Sequence, residues 1–417
     1  LKSNRFLMRI NLLSGFPAVV INTLPDSIVL ERRVLQAKRK AALLYLFLLA
    51  IVCMPLIANS LGTNLTSPPL HTNPSANDSN LAASAEPVRN DTPKIQRMID
   101  QAPSGGKIVI PPGVYYINKN PEHVVYTDYG KSYSALKISK PITIIMNDVI
   151  FRTKTNDAYG VFWIFETSDV HLKGGRFTGD ALPTDGSYAS RIAVLVQESE
   201  DCLIENMTMK NFSQGVNLYK SNKSTVRHVV TEYNKGSGII SIRSKNSIIS
   251  SNTISNSGDG HLSLYGGGEY NTVSNNTVSE NRAGKSDQQG ITLEAEKYSM
   301  IKGNTVTGFY YGIDIKNDSR YCNITQNTAT NNRYNIALRL GDPNSKQLPS
   351  HNIIIFKNNA MDPRKGGPNA GIYVSYAGGG HIIQGNTTNI GKLIYGSTVI
   401  EEDMRNKFVN FASNILK

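Results

Sequence analysis

From Val194 onwards the chain repeats one hydrophobic pattern: a short run of alternating aliphatic residues, a break of Gly, Asn or Ser, a second short run, then Asn followed by Thr. Two copies adjoin between Gly238 and Asn276, carrying Ile240 and Ile242, then Leu262 and Leu264, and closing at Asn252 and Asn276. The first run recurs as Val194-Leu195-Val196, Val216-Asn217-Leu218, Ile291-Thr292-Leu293, Ile313-Asp314-Ile315, Ile336-Ala337-Leu338 and Ile372-Tyr373-Val374. A turn Asn recurs at Asn206, Asn252, Asn276, Asn304, Asn327, Asn359 and Asn386, with Val229 standing in once. The period of about two dozen residues is that of a solenoid. Strands so short, joined by Gly, Asn and Ser, cannot bury a face alone and must stack. The pattern predicts an all-β fold, a right-handed parallel β-helix, with the Asn side chains bonded in a ladder along it.

At 417 residues the chain allows one large domain or two medium ones, and the repeat favours one elongated domain over 92–417. Cys202 and Cys322 begin equivalent strands five coils apart, about 24 Å at the usual strand spacing, too far for a disulfide. Residues 1–40 are basic, and 41–58 form an uncharged run of eighteen preceded by Arg32, Arg33, Lys38, Arg39 and Lys40. That run reads as a signal anchor or a cleaved signal peptide with the basic segment on the cytoplasmic side. Either reading exports the β-helix. Residues 59–91, rich in Asn, Ser, Thr and Pro without apolar period, read as a flexible linker.

The solenoid opens with TPKIQRMIDQAPSGGKIVIPPGVYYI from Thr92, an expected helix with Ile95, Met98 and Ile99 on one face, a Gly105-Gly106 turn and two strands. This segment resembles the N-terminal cap of the pectin-lyase-like superfamily, in which a short amphipathic helix closes the open end of the stack. The residues from Thr398 read as a C-terminal cap. The resemblance, over roughly 92–400, implies fold rather than chemistry.

Chemistry must come from what faces outward. With the aliphatic residues of each run inside, one outward column is expected to run Gln197, Tyr219, Arg243, Tyr265, Glu294, Lys316, Arg339, Ser375. The next runs Asn217, Ser241, Ser263, Thr292, Asp314, Ala337, Tyr373, and a third, mostly small, Gly215, Ile239, His261, Gly290, Gly312, Asn335, Gly371. Small residues in the third column predict a groove floor, with the insertions 281–289 and 341–350 as walls. In superfamily members this sheet binds polysaccharide, often acidic. Beyond residue 60 the chain carries 36 Lys plus Arg against 30 Asp plus Glu, a net +6 of the overall +12. That balance suits a uronic-acid polysaccharide as partner.

Elimination or C5-epimerisation of a uronate needs a cation for the carboxylate, a base and an acid. Arg243, His261 and Tyr265 are the catalytic candidates, with Arg243 the cation and the other two the base and acid. Tyr219, Glu294, Asp314, Lys316 and Arg339 are the candidate substrate contacts. Locally the chain is similar to the calcium-dependent alginate and dermatan lyases: GIISIRS and LSLYGG place Arg243 where those enzymes have their catalytic Lys and Tyr265 where they have Arg. Their calcium-holding acidic pair falls on Gly236 and Gly238, so no metal site is expected and no cofactor. Asp259-Gly260-His261 is faintly similar to the DPHD stretch of mannuronan epimerases.

Two other classes stay open. Glu294 and Asp314, on adjacent coils, would suit an inverting glycoside hydrolase, or equally an ion-pair ladder with the neighbouring cations. The GHG and R-x-K stretches of polygalacturonase-like enzymes are absent. A non-catalytic binding or accessory β-helix, resembling the copper-accessory family of nitrous-oxide reductase or surface adhesins, is the third reading. Seven scattered His and no Cys/His ligand spacing speak against metal handling, and no nucleic-acid motif is present. Sequons such as Asn64, Asn206 and Asn323 follow from the turn composition.

Overall fold

Short parallel strands stack coil upon coil into a right-handed parallel β-solenoid, because each strand pairs with the equivalent strand of the preceding and following turns. The computed structural model describes residues 89–154, 158–183, 190–282, 288–341, 347–364, 369–375 and 377–388, with the backbone of the short strands Ile394–Tyr395, Val409–Asn410 and Ile415–Leu416. The segments 1–40, 41–58 and all but the last residues of 59–91 lie outside the described residues. So do most of the C-terminal residues and the centres of both expected wall insertions. A helix, Thr92–Gln101, buries Ile95 and Ile99 in the main core.

Among the described residues, the sheet that matters for function runs Tyr159–Phe165, Ile192–Gln197, Gln214–Tyr219, Ile239–Ile242, Leu262–Tyr265, Gln289–Glu294, Tyr311–Lys316, Tyr334–Arg339 and Ala370–Ser375. It begins in the long strand Gly130–Ile138, which folds back on Val124–Thr127 as an antiparallel hairpin with Asp128 and Tyr129 at the tip. Two further ladders of mostly three-residue strands complete each coil, exemplified by Ile248–Ser250 and Thr253–Ser255. One inward aliphatic residue per short strand, such as Ile249, Ile254, Val273 and Val278, fills the narrow core.

An asparagine ladder holds the turn between those two short strands. Asn252, Asn276, Asn304, Asn327 and Asn358 each donate a side-chain amide bond of 2.9–3.0 Å to the next, the row ending at Asn386. Each carbonyl also accepts the backbone N–H of the coil before. Val229 takes the position one coil earlier, its N–H donating to Asn252. Two expected members are displaced by one residue. Asn358, not Asn359, is in the ladder, and Asn206 precedes it, in a left-handed turn conformation with φ of 57°. An Asn-Asn pair and an Asn-Met pair leave the phase open in sequence, and strand pairing decides it. Cys202 and Cys322 stand in one buried column five coils apart, linked by Ser224, Ser247, Asn271 and Ser299, and both thiols are free.

Candidate functional site

Strand register fixes which side chains share the outer face. Tyr265 pairs with Glu294, and Glu294 with Lys316, so these three form one column on successive coils. Ser263, Thr292 and Asp314 form the neighbouring column. Both columns open into a groove of about 470 Å³, within the usual range for small-ligand sites. Tyr265, Glu294, Lys316, Ser263 and Thr292 line it, and Ile240 and Ile242 extend its apolar end. Tyr129, from the hairpin tip, forms its wall, its ring tilted against Tyr265 at 6.2 Å between centroids. Burial holds the Tyr129 phenol up at about 12, so it stays protonated.

The expected columns need correction on one coil. Ile239 pairs with Val216 and Leu262 and lies in the core, so Ser241 faces inward and Ile240 and Ile242 face the groove. Three isoleucines in four positions fit either phase of an alternating strand, and a slip of one residue exchanges its faces. Ile242 therefore takes the place expected for Arg243, between Tyr219 and Tyr265. Arg243 follows the strand, in the left-handed region at φ 53°, and its guanidinium pairs with Asp128 of the hairpin. It is a clamp on the hairpin and does not line the groove.

His261 is also misplaced by the expectation of an outward column. Glycine holds the equivalent position on neighbouring coils, where backbones crowd, and the imidazole turns into the interior at 0% exposure, edge-on to Phe309. Its Nε2 accepts the Ser257 N–H at 3.0 Å, and Nδ1 donates to the Asp259 carbonyl at 3.1 Å. With the ring so committed, the Glu280 carboxylate 3.5 Å away is held by Arg282. His261 cannot reach a ligand in the groove. Tyr219 lies beneath the hairpin at 1% exposure, its hydroxyl accepting the Asp128 N–H at 3.0 Å. The expected Tyr219 contact is thus a fixing point for the wall.

The remaining residues form a chain of alternating charge. Glu294 is 3.4 Å from Lys316, Lys316 is 3.7 Å from Asp314, and Arg339 grips Asp314 with two bonds of 2.7 and 2.8 Å. Arg339 also lies over the Tyr311 ring, 4.1 Å from its centroid. Since both carboxylates touch one ammonium, they stand no more than about 7.1 Å apart. Asp314, however, is fully buried and bound on both oxygens, which suits an ion-pair ladder better than a base for water. Glu294 and Lys316 remain partly open, at 19% and 12% side-chain exposure. Among the described residues no cluster of His, Cys, Asp or Glu suits a metal ion. Sequence reasoning missed the hairpin altogether, although VVYT-DY-GKSY is a plain hairpin pattern. It also missed Gln214, which opens a site strand, and Asp259, from the turn before Leu262; with Gln289, at the end of the expected wall insertion 281–289, they complete the lining.

The sequence profile of a family described as "Right handed beta helix region" matches residues 163–329 and 262–388. No curated protein matches the sequence. Among solved structures, the A-module of the Azotobacter vinelandii mannuronan C-5 epimerase AlgE6 is similar, with a TM-score of 0.52 and 13% identity, over 79% of this chain and 96% of that one. The tailspike protein of E. coli bacteriophage HK620, solved with a pentasaccharide, gives a TM-score of 0.60 at 14% identity, over 80% of this chain and 64% of its own. The Agl-KA catalytic domain gives 0.51 at 16%, over 84% and 70%. At such identities the likeness is one of fold.

Proposed function

Since the chain belongs to the right-handed β-helix family, we propose that its groove binds an acidic, uronic-acid-containing saccharide chain and acts on it by β-elimination or C5-epimerisation. The observation that carries this reading is the single column of a phenol, a carboxylate and an ammonium, Tyr265, Glu294 and Lys316, lining one groove on three successive coils. That the fold is shared with a mannuronan epimerase module and with a tailspike bound to a pentasaccharide supports a saccharide as ligand.

In this reading Lys316 neutralises the uronate carboxylate, exchanging part of its contact with Glu294, and so makes the C5 proton removable. Glu294 takes that proton, the role vacated by the buried His261. In elimination the C4–O bond breaks as the C4–C5 double bond forms, and Tyr265 gives a proton to the departing oxygen. In epimerisation Tyr265 instead returns a proton to the opposite face of C5. The test is incubation with mannuronan and polygalacturonan, following the ultraviolet absorbance of the unsaturated product and the uptake of solvent deuterium at C5. Signal in either, lost in Tyr265→Phe and Lys316→Met, is the expected result. Neither signal with any uronic-acid polymer would remove the reading.

We also propose that the protein is exported, and tethered to or released from the membrane by residues 41–58. Cell fractionation finding it in the cytoplasm would refute this.

A further inference from the structure

A sheet face of this kind is expected to expose its outward side chains, yet on three coils it does not. Trp163, Leu195, Gln197 and Tyr219 point outward and are at most 5% exposed. The cover is the hairpin. Val125 packs with Trp163, Leu195, Tyr219 and Ile242 in a second apolar cluster, outside the main core. Gln197 donates to the Tyr126 carbonyl at 2.9 Å, and the Asp128 N–H donates to the Tyr219 hydroxyl. The Asp128 carboxylate pairs with Arg243 and lies 3.8 Å from Lys220. The hairpin is thus fastened by an apolar cluster, two neutral hydrogen bonds and two ion pairs, drawn from four successive coils. It stops at Tyr129 beside Tyr265, and the groove opens beyond it, with Ile240, Ile242 and Gln214 at its closed end.

A chain lying along the solenoid axis over Lys316, Glu294 and Tyr265 therefore meets a wall and cannot continue over Tyr219. Resting on the saccharide reading above, we infer that the groove receives the terminal residues of a glycan chain rather than an internal stretch, with Tyr129 as the residue that sets this specificity. The terminal sugar packs against the Tyr129–Tyr265 ring pair, over Ile240 and Ile242. Those side chains form an apolar pocket end, which suits the faces of a sugar ring.

The experiment is a binding titration of the full chain with mannuronan and polygalacturonan, each prepared as short and long chains and compared at equal mass concentration, with dextran alongside. If only ends bind, affinity by mass falls in proportion to chain length, about tenfold weaker for a tenfold longer chain. Tyr129→Gly opens the wall and Asp128→Asn loosens it while keeping its shape. Either variant is expected to flatten the length dependence, the long chains gaining relative to the short ones. Equal affinity by mass for long and short chains in the unaltered protein would overturn the inference while leaving the saccharide reading in place. Binding of none of the polymers would overturn both.

Discussion

Glu296 gives the sharpest test of the packing described above. It follows Glu294 by two residues and occupies an inward turn column otherwise made of Gly268 and the serines Ser199, Ser221, Ser244, Ser319 and Ser350, whose hydroxyls accept a backbone N–H from the coil before. Gly268 makes the larger side chain possible: a Cβ there would fall 2.7 Å from Glu296 Oε2. One carboxyl oxygen accepts from Asn271 Nδ2 at 2.7 Å and Ser299 Oγ at 2.6 Å, while the other has no partner among the described residues. Burial pushes the acid up to about 7 from an ordinary 4.5, against the pull of those two donors. A carboxyl raised in the folded state binds its proton more tightly than in the unfolded chain. Its contribution is therefore fully present below pH 4.5 and is lost as pH rises to about 7. The gap corresponds to about 3 kcal/mol. In Glu296→Gln the unfolding free energy, from urea titrations between pH 4 and 8, should lack this decline. The difference between variant and parent should then move by about 3 kcal/mol in the variant's favour across that window. A difference that stays constant with pH would refute the reasoning, whatever its absolute value.

The ladder and the ion-pair chain carry two more predictions. Asn304→Ala strands the buried backbone N–H of Asn276 and removes one partner each from the Asn276 side-chain amide, Asn327 Oδ1 and the Val273 carbonyl, and should lower stability by about 3–5 kcal/mol in denaturant titration; a loss below about 1 kcal/mol would show that the ladder is not a stabilising element. Asp314→Ala leaves Arg339 and Lys316 facing each other without their shared carboxylate and should cost about 3–5 kcal/mol, whereas the double change Asp314→Leu with Arg339→Met should recover most of it. If the double variant is as unstable as the single one, the pair is more than a mutual neutralisation.

The fold was legible because a solenoid writes its period directly into the chain, and aliphatic runs such as Val216-Asn217-Leu218 and Leu293 to Ile315 kept phase from coil to coil. The site was legible only where that phase was unambiguous: Tyr265, Glu294, Lys316 and Asp314 stand where alternation puts them. It failed at Ile239 to Ile242, where neighbouring isoleucines permit two phases and only pairing with Val216 and Leu262 chooses. It failed at His261 for a different reason. Alternation describes strands, and His261 sits just before one, where crowded backbones send the ring inward. The hairpin was invisible to the repeat because it occurs once, and no period could reveal what it covers.

One column explains why the groove begins where it does. Immediately after each site strand comes a residue in the left-handed region: Glu198, Lys220, Arg243, Gly266, Ala295, Asn317. This turn carries the chain off the sheet and sets its residue beside the outer face. On the covered coils the position holds long charged side chains, and two of them, Lys220 and Arg243, reach Asp128 and hold the hairpin down. On the next two coils it holds Gly266 and Ala295, which have nothing to reach with. The change from Arg243 to Gly266 coincides with the passage from Ile242, 2% exposed under the cluster, to Tyr265 in the open groove. Clamp and opening are thus specified by the same turn position on successive coils, and the wall at Tyr129 stands at the boundary between them.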